Sequence, residues 1–376
     1  MQAIFLTAGE NSRMFPLDKI THKGLLSVHG KPLIEYAMNK LIEIGIDEFV
    51  IVLGEYGYVN EIKEYFSTMN YNIKFTTQKS ATGQGDAILT TEKYIDGDFV
   101  IVDPYYLGDD NILSKMVEKF KNEDLDGLVG GKEEENISDY GAFDLTEDER
   151  INNYIEKPKP GEAPSNIKKT SIEIYKNSYF DYIKSSLDAQ YPNIEAMIKL
   201  ARDGNVKVYN IDKNIFSTTL KYCWDFLKIV NFINDKFRDE LVENSFVDKS
   251  AVVDGVELIN SNIEKDVQIG EGSKIENSII MKGTHLGKNS FVKNSIIGPN
   301  CIIGEGFMTE MSFSAEVFAE VKAKKMKVKV DYFGTAISKN VKIGDNVIVK
   351  PGILIGMNNE ISDETHITNN LNHKND

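Results

Sequence analysis

The sequence is poor in cysteine, in positive charge and in long apolar runs, and each shortage excludes a class of protein. The two cysteines, Cys223 and Cys301, lie far apart beside apolar neighbours, so we expect reduced core thiols in a cytoplasmic protein. Lysine and arginine total 43 against 58 acidic residues, and a net charge of −15 argues against a nucleic-acid or membrane partner, because both are polyanionic. No apolar run approaches the roughly 20 residues of a membrane span. Met1 leads straight into a predicted strand, without a signal peptide.

The chain is long enough for two domains, each with its own core. Up to residue 130, apolar strands alternate with amphipathic helices, which is typical of a Rossmann-like α/β fold with a doubly wound, mostly parallel sheet. A linker at residues 236–243 separates this predicted domain, residues 1–235, from a second one at residues 245–367. Residues 368–376 form a polar tail that we expect to be disordered.

The second predicted domain has a repeat of its own. From Ile263 onward, apolar residues recur at steps of six, six and five, so that each coil returns after 17 residues, and from Ile337 to Ile367 the step is a strict six. Ile-Gly pairs repeat with this period and place one apolar side chain inward on each flat face and a small residue at each corner. This is the hexapeptide signature of a triangular, left-handed parallel β-helix. A β-sandwich would alternate with period two instead.

The first domain is organised around the loop that follows its opening strand. The stretch at residues 6–17 leads from the strand into a long loop, which continues to a helix predicted from residue 33 to residue 44. Loops at the carboxyl ends of strands are where open α/β sheets bind ligands. Backbone N–H groups after Gly9 are suited to hold a triphosphate, and Arg13 and Lys23 supply charge at neutral pH. The alternative is an ordinary strand, loop and helix without a nucleotide.

This stretch resembles the signature of the sugar-1-phosphate nucleotidylyltransferases, whose pattern contains apolar-Ala-Ala-Gly-x-Gly-Thr-Arg, Pro-Lys-x-Leu-Leu-x-Val and Gly-Lys-Pro. The departures are Asn11 for the second glycine, Ser12 for threonine and His22 for the proline before the lysine. By this resemblance Ala8 and Gly9 contact the nucleotide. The matching residues are Ala8, Gly9, Arg13, Pro16, Lys23, Leu25, Leu26, Val28, Gly30, Lys31 and Pro32.

The resemblance also implies catalytic residues and a contact with the base. It makes Arg13 and Lys23 catalytic. Family members carry a glutamine, and five residues later a glycine, at the start of a helix that closes over the base, and Gln78 and Gly83 keep that spacing. A carboxamide pairs with a base edge, and a glycine lets the backbone approach it closely. A glycine-rich helix start without a ligand is the alternative.

The metal site is where the chain departs from the family. Family enzymes hold Mg²⁺ with an aspartate that follows a central strand, which here is the predicted strand at residues 98–102. An ungapped alignment places Tyr105 at the position of this aspartate. A neutral phenol is a poor ligand for this hard cation. Two replacements stay open: Asp103 from two positions earlier, or Asp109 if a small insertion lets residues 107–111 supply the motif. Thr219 stands at the position of the second metal aspartate. Mg²⁺ is therefore expected only if the protein is catalytically active.

Residues 138–158 resemble the family's Tyr-Gly-x-apolar strand and its Glu-Lys-Pro turn, which contact the sugar phosphate. The match implies that Gly141 leaves room for the sugar, that Glu156 accepts hydrogen bonds from its hydroxyls and that Lys157 neutralises its phosphate. A solvated charge pair in a turn is the alternative for Glu156 and Lys157. Residues 169–171 replace the family's Asn-Ala-Gly segment against the sugar, which weakens the prediction of any particular sugar.

Together the two domains resemble archaeal bifunctional proteins that join a sugar-1-phosphate nucleotidylyltransferase to an amino-sugar-phosphate acetyltransferase. The acetyltransferase residues differ here. Lys288 stands at the catalytic histidine, and His285 lies three residues too early. Polar family residues are replaced by Met311, Phe313 and Tyr332. Because acetyl transfer needs a base near the amine, we do not expect this activity.

Three hypotheses follow. The first is a divergent nucleotidylyltransferase that binds a nucleoside triphosphate or nucleotide sugar and, if active, joins the nucleotide to a sugar 1-phosphate with release of pyrophosphate. The second is a non-catalytic paralogue that binds such a ligand and regulates, or assembles with, an active paralogue. The third is a trimeric β-helix scaffold with a vestigial first domain. The retained residues of the motifs argue against it, namely Gly9, Arg13, Lys23, Gln78, Glu156 and Lys157. In each case we expect a homo-oligomer, because β-helices with flat faces commonly pack as trimers.

Overall fold

The computed structural model describes residues 1–9, 11–55, 58–80, 82–108, 111–216, 220–310, 314–321 and 324–374. Contacts divide the chain into two compact units. The first unit comprises residues 1–9 and 33–218, and the second comprises residues 10–32 and 219–376. These units divide the chain differently from the predicted domains. The loop that carries the family signature, residues 11–32, and the helix after Trp224 make contacts with the hexapeptide repeats and therefore fall in the second unit.

The first unit is built on a nine-stranded mixed sheet. Its strands are β1 (Gln2–Thr7), β2 (Glu48–Gly54), β3 (Asn72–Gln78), β4 (Phe99–Val102), β5 (Gly127–Glu133), β6 (Gly141–Leu145), β7 (Ile151–Glu156), β8 (Ile167–Tyr175) and β9 (Val206–Ile211). Seven of them follow the order β9-β5-β8-β4-β1-β2-β3, and β6 pairs with both β8 and β7. Neighbours in the seven-strand order are parallel except beside β8, which is antiparallel to β4 and β5. The doubly wound, mostly parallel α/β fold is thereby confirmed.

Helices cover this sheet, which explains why its central strands are apolar on both faces. Successive residues of β1, Ala3, Ile4 and Phe5, are all fully buried although they point to alternate faces. One face packs against the helices Gln84–Leu89, Tyr179–Lys184 and Pro192–Asp203, in a core that includes Phe180 and Met197. The helices are α1 (Leu33–Glu43), α2 (Val59–Ser67), α3 (Gln84–Leu89), α4 (Ile112–Asn122), α5 (Tyr179–Lys184) and α6 (Pro192–Asp203), followed in the second unit by α7 (Asp225–Lys236).

The hexapeptide region of the second unit is a parallel β-helix of three stacked sheets, as predicted. Isoleucines one coil apart pair in register and form an inward column; Ile263 pairs with Ile280 and Ile280 with Ile297, each 17 residues on. The next step, from Ile297 to Ile337, is longer because an antiparallel hairpin of strands Ser314–Val321 and Lys324–Asp331 is inserted.

The β-helix strands are short and regular. The first sheet contains Phe246–Val247, Asn262–Ile263, Ile279–Ile280, Ile296–Ile297, Thr335–Ile337 and Ile353–Ile355. The second contains Glu257–Ile259, Lys274–Glu276, Phe291–Lys293, Met308–Thr309, Ile348–Val349 and His366–Ile367. The third contains Gln268–Ile269, His285–Leu286, Ile302–Ile303, Lys342–Ile343 and Glu360–Ile361.

Columns of residues with left-handed backbone turn the chain at the corners. Asn260, Asn277 and Asn294 stack in one column with φ of 46°, 46° and 49°. Asparagine tolerates this conformation better than most residues. Its side chain also joins the coils, because Asn260 Nδ2 donates a hydrogen bond to Asn277 Oδ1 at 2.8 Å.

Two other expectations from the sequence concern the cysteines and the polar tail. Both cysteines are free thiols in the core, and burial raises the pKa of Cys301 to about 12. The expected disorder of the tail is wrong for residues 370–374, which hydrogen-bond to the last coil of the β-helix. Among the described residues, every helix falls short of the length and apolar character that crossing a membrane requires.

The spacing between coils makes the glycine at each Ile-Gly corner a steric requirement. A Cβ on Gly287 would lie 2.5 Å from the backbone N of Glu305 on the next coil. We expect Gly287→Ala to lower the free energy of unfolding by about 1–3 kcal/mol, measured by urea denaturation. Gly283→Asn is the matched control, because its φ of 68° suits asparagine, and a Cβ there would meet the movable amide oxygen of Asn300 at 2.5 Å instead of backbone. It should cost less than about 1 kcal/mol, and equal losses in both variants would contradict the explanation.

Candidate nucleotide-binding site

The signature loop, residues 11–32, is held by its own turns and by buried apolar side chains. Met14 N donates to Asn11 O, and Leu17 N donates to Met14 O, both at 2.7 Å. The Asn11 side chain donates to the Thr21 carbonyl at 2.8 Å. Asn11 and Met14 are buried, whereas Arg13 between them in this turn is exposed. The packing therefore fixes the backbone on both sides of Arg13 and leaves its guanidinium on the surface.

His22 stands where the family has a proline, and it caps the turn that carries Lys23. Its Nδ1 accepts a hydrogen bond from Gly24 N at 3.0 Å at the start of the short helix Lys23–Leu25. Burial, and then the charge of Lys23, lower the pKa of His22 to about 3. The imidazole is therefore neutral at physiological pH and remains an acceptor. This cap fixes the backbone of Lys23, whose side chain is half-buried.

The other predicted nucleotide contacts belong to the first unit. Ala8 and Gly9 follow β1, and a Cβ on Gly9 would meet no atom within 4 Å. Gln78, at the end of β3, is buried, and its amide donates to Gly83 O at 2.9 Å and to Asp86 Oδ2 at 3.0 Å. The structure thus brings Gln78 and Gly83 together. The contact shows an internal role for the carboxamide, since Gln78 fixes the backbone at Gly83, whose φ of 109° requires glycine.

Tyr154 occupies the space beside Gly141. Gly141 and Glu156 are paired across β6 and β7, and a Cβ on Gly141 would overlap the hydroxyl of Tyr154. That hydroxyl donates to Glu156 Oε2 at 3.3 Å, and burial, followed by the charge of Glu156, raises the pKa of Tyr154. The room that the resemblance implied for a sugar is therefore filled by a side chain in this conformation. Lys157 follows with a left-handed φ of 50°, and its N–H donates to Tyr140 O.

The segment that replaces the family's Asn-Ala-Gly carries a buried ion pair. Lys169 pairs with Glu173 across a bulge in β8, and their side chains are only 14% and 8% exposed. Tyr175 Oη donates to Glu173 Oε2 at 2.9 Å. Removing either partner alone would leave the other charge buried without compensation, so each of the two residues depends on the other.

The described residues do not fit a magnesium site. Nucleotidyltransferases of this family typically use Mg²⁺, which prefers several hard oxygen ligands. Asp103 follows β4 and is half-buried, but Tyr105, at the ligand position, is buried with 8% of its surface exposed. No group of three histidine, cysteine or acidic side chains suited to a metal occurs among the described residues. The alternative candidate, Asp109, and Thr219 lie outside the described residues.

The residues on which the predicted lack of acetyltransferase activity rests belong to the second unit. His285 and Lys288 are on the surface of its third sheet and the following corner, His285 being exposed and Lys288 exposed beside it. Tyr332 is 64% exposed. Met311 and Phe313 lie outside the described residues. The prediction stays untested, because the described positions carry the same residue types that prompted it.

Comparison with known families decides the relationship. Residues 2–225 match the model described as nucleotidyl transferase, and residues 241–333 match the model described as the GMPPB C-terminal domain. The chain belongs to the nucleotidyl transferase family. Within this family it is similar, at 28% identity over 99% of this chain and 95% of the relative, to the bifunctional protein GlmU of Methanococcus maripaludis strain C7.

Other relatives resemble this nucleotidyl transferase over the first part of the chain. The UTP–glucose-1-phosphate uridylyltransferase AglF of Haloferax volcanii is 30% identical over 54% of this chain and 85% of its own. A UDP-glucose pyrophosphorylase solved with UDP-glucose superposes with a TM-score of 0.55 at 22% identity, covering 62% of this chain and 98% of that one. A UTP-bound UGPase from Acinetobacter baumannii gives the same TM-score at 18% identity, covering 62% and 93%. These two structures establish the fold alone.

Sequence reasoning missed three features of this family member. Tyr154 was not singled out, although a large aromatic two residues before the Glu-Lys-Pro turn was a readable signal. The pair Lys169 and Glu173 was hidden by the bulge, which brings residues four apart on a strand together. The third feature is a contact between the signature loop and His373 near the end of the chain, for which the polar tail gave no signal.

The buried, neutral His22 makes stability depend on pH. Because its folded pKa of about 3 lies below its unfolded value of 6.5, the unfolded chain binds more protons in this range, so stability falls as pH drops below 6.5. Between pH 7 and 5 this amounts to about 2 kcal/mol. In His22→Asn the side-chain oxygen can still cap Gly24 but does not titrate. Between pH 7 and 5 we therefore expect the free energy of unfolding of this variant to fall by about 2 kcal/mol less than that of the wild type. Urea denaturation of both proteins at the two pH values measures the difference, and parallel losses would contradict the prediction.

Proposed function

We propose that this family member is a divergent sugar-1-phosphate nucleotidylyltransferase-type protein that binds a nucleoside triphosphate or a nucleotide sugar. In this proposal Arg13 and Lys23 contact the phosphates, Gly9 admits the ligand close to the backbone, and Gln78 with Gly83 takes the base. The observation that carries it is the conformation of the signature loop. Arg13 is exposed between the buried residues Asn11 and Met14, and His22 caps the turn at Lys23.

The proposed reaction transfers the nucleotidyl group. An oxygen of the sugar 1-phosphate attacks the α-phosphorus, the bond from that phosphorus to the bridging oxygen breaks, and pyrophosphate leaves. Arg13 and Lys23 stabilise the charge that develops on the leaving group. Glu156 and Lys157 are the proposed sugar-phosphate contacts, which require Tyr154 to move from its place beside Gly141.

A second candidate is a non-catalytic paralogue that binds the nucleotide and regulates, or assembles with, an active one. Two observations favour it. Tyr105 is buried at the position of the metal aspartate, and the Tyr154 hydroxyl fills the space beside Gly141. In both proposals the β-helix is expected to assemble as a homo-oligomer, and no acetyl transfer is expected.

The first test is a substitution of Lys23. We expect Lys23→Ala to weaken nucleotide binding about 10- to 100-fold, because hydrogen bonds to charged groups contribute about 1.5–3 kcal/mol each. Binding is read from the nucleotide-induced rise in Tm, and transfer from pyrophosphate release with Mg²⁺, nucleoside triphosphates and sugar 1-phosphates. The matched control is Lys63→Ala, on the exposed side of α2.

The outcomes separate the two candidates. Pyrophosphate release that Lys23→Ala abolishes and Lys63→Ala leaves unchanged supports the transferase. A nucleotide-induced rise in Tm without release supports the non-catalytic paralogue. If neither nucleoside triphosphates nor nucleotide sugars raise the Tm and no pyrophosphate is released, both candidates are wrong.

A substitution of Gly9 tests close approach by the ligand. Because a Cβ there meets no protein atom within 4 Å, Gly9→Ala should leave the free energy of unfolding within about 0.5 kcal/mol of the wild type. It should nevertheless weaken nucleotide binding about tenfold, by displacing a charge-assisted hydrogen bond. Gly97→Ala is the control, since a Cβ there is equally unobstructed. Unchanged affinity in Gly9→Ala, measured by isothermal titration calorimetry, would contradict the proposed contact.

A further inference from the structure

The residues after the last hexapeptide strand form a further turn on the end of the β-helix. Leu371 N donates to Leu354 O at 2.9 Å, and Gly356 N donates to Leu371 O at 2.7 Å. Asn370 Oδ1 accepts from Leu354 N at 2.9 Å. The side chain of Leu371 packs against the β-helix core. We call residues 370–374 the terminal strap, because these contacts fix its backbone on the last coil.

His373 in the terminal strap joins this coil to the signature loop. Its Nδ1 lies 2.9 Å from Met357 N, whose hydrogen it accepts. Since Nδ1 is an acceptor, the ring proton is on Nε2, which lies 2.9 Å from Asp18 Oδ1 and donates to it. The imidazole also meets the ring of Phe15 edge-on, with centroids 4.9 Å apart. One side chain thus makes a directed hydrogen bond to the β-helix and another to the loop.

The place of this contact within the loop gives it a functional meaning. Asp18 lies five residues after Arg13 and five before Lys23, in the short helix Leu17–Lys19. The side chains of Asp18 and His373 are only 15% and 16% exposed, so their hydrogen bond is largely shielded from water. A contact at this point restrains both arms of the loop.

The loop has a second attachment, which is farther along the chain. His29 Nε2 lies 2.7 Å from Asn234 Oδ1, and its ring stacks on Phe246 with centroids 4.7 Å apart. His29 N also donates to Asn262 Oδ1 at 3.0 Å. This attachment lies beyond Lys23, whereas the contact through His373 lies between the two cationic residues.

We propose that His373 is a positioning residue, which holds the signature loop through Asp18 and Phe15 in the conformation that presents Arg13 and Lys23 to phosphates. The inference rests on the proposed function for its effect on nucleotide affinity. Its structural part, the restraint of residues 11–22 by the terminal strap, stands on the contacts themselves. The β-helix thereby takes part in nucleotide binding without contacting the nucleotide.

Two substitutions at one position separate the two hydrogen bonds. His373→Asn keeps an oxygen near the place of Nδ1, which accepts from Met357 N, but it is too short to reach Asp18. His373→Gln places an amide N–H three bonds from Cβ, as far as Nε2, and should restore the donor to Asp18. His366→Ala is the control, because His366 also pairs with a carboxylate, Glu310, on the β-helix and lies outside the loop.

Two measurements on the full chain decide the matter. Amide hydrogen exchange of residues 11–22 reports restraint of the loop, and titration with UTP, ATP, GTP, CTP, dTTP and the nucleotide sugar UDP-glucose reports affinity. We expect His373→Asn to speed exchange in this segment and to weaken the tightest nucleotide about tenfold. His373→Gln should recover most of both effects, and His366→Ala should match the wild type. Thermal unfolding of each variant confirms that it is folded.

The possible failures are distinguishable. If the wild type binds none of the nucleotides, the proposed function is wrong and the positioning role that rests on it falls too. If the wild type binds but His373→Asn binds equally well, the positioning role alone is wrong. If exchange of residues 11–22 is the same in His373→Asn and the wild type, the restraint itself is wrong. If His373→Gln behaves like His373→Asn, the hydrogen bond to Asp18 is not the cause.

Discussion

The conformation of the signature loop depends on burial within the second compact unit. Met14 and Leu17 are buried there, and His29 and His373 connect the loop to helix and β-helix residues. A loop of this length would otherwise lose much conformational entropy on ordering, which these contacts must offset. The hexapeptide repeats therefore also have a part in ordering the loop. Their stacking supplies the surface on which the predicted phosphate-binding residues are fixed, so that stability of the β-helix and order of the loop are linked.

The sequence predicted the β-helix in detail because its physical requirement is periodic. Each coil needs one inward apolar residue per face and small or left-handed residues at the corners, so Ile263, Ile280 and Ile297 could be recognised by spacing alone. The terminal strap escaped this reading, since residues 370–374 contain one apolar residue, Leu371, and no Ile-Gly pair. Its order comes from side-chain and backbone hydrogen bonds to the previous coil, which leave no period in the sequence.

The candidate site was predictable as a set of positions but not as a set of contacts. The motif located Gly9, Arg13 and Lys23, yet nothing in it indicated that His22 replaces the rigidity of a proline with a hydrogen-bonded cap. Likewise, the Tyr-Gly strand located Gly141, whereas the overlap with Tyr154 depends on the diagonal geometry of an antiparallel pair. Such effects belong to tertiary packing, which local patterns do not encode.

The divergence from the family separates binding from transfer. Cations that contact a triphosphate equally before and during reaction increase affinity without accelerating the chemical step. Acceleration requires charge stabilisation that grows as pyrophosphate leaves, and it requires two polyanionic substrates to be held together against their repulsion. In the proposed reaction, Arg13 and Lys23 meet the first requirement by their charge. The second requirement, holding the two substrates together, falls in this proposal to residues beside the sugar phosphate. There Tyr154 fills the space beside Gly141, and Lys169 and Glu173 are paired with each other. In the proposed reaction, transfer therefore depends on movement of Tyr154, whereas nucleotide binding does not.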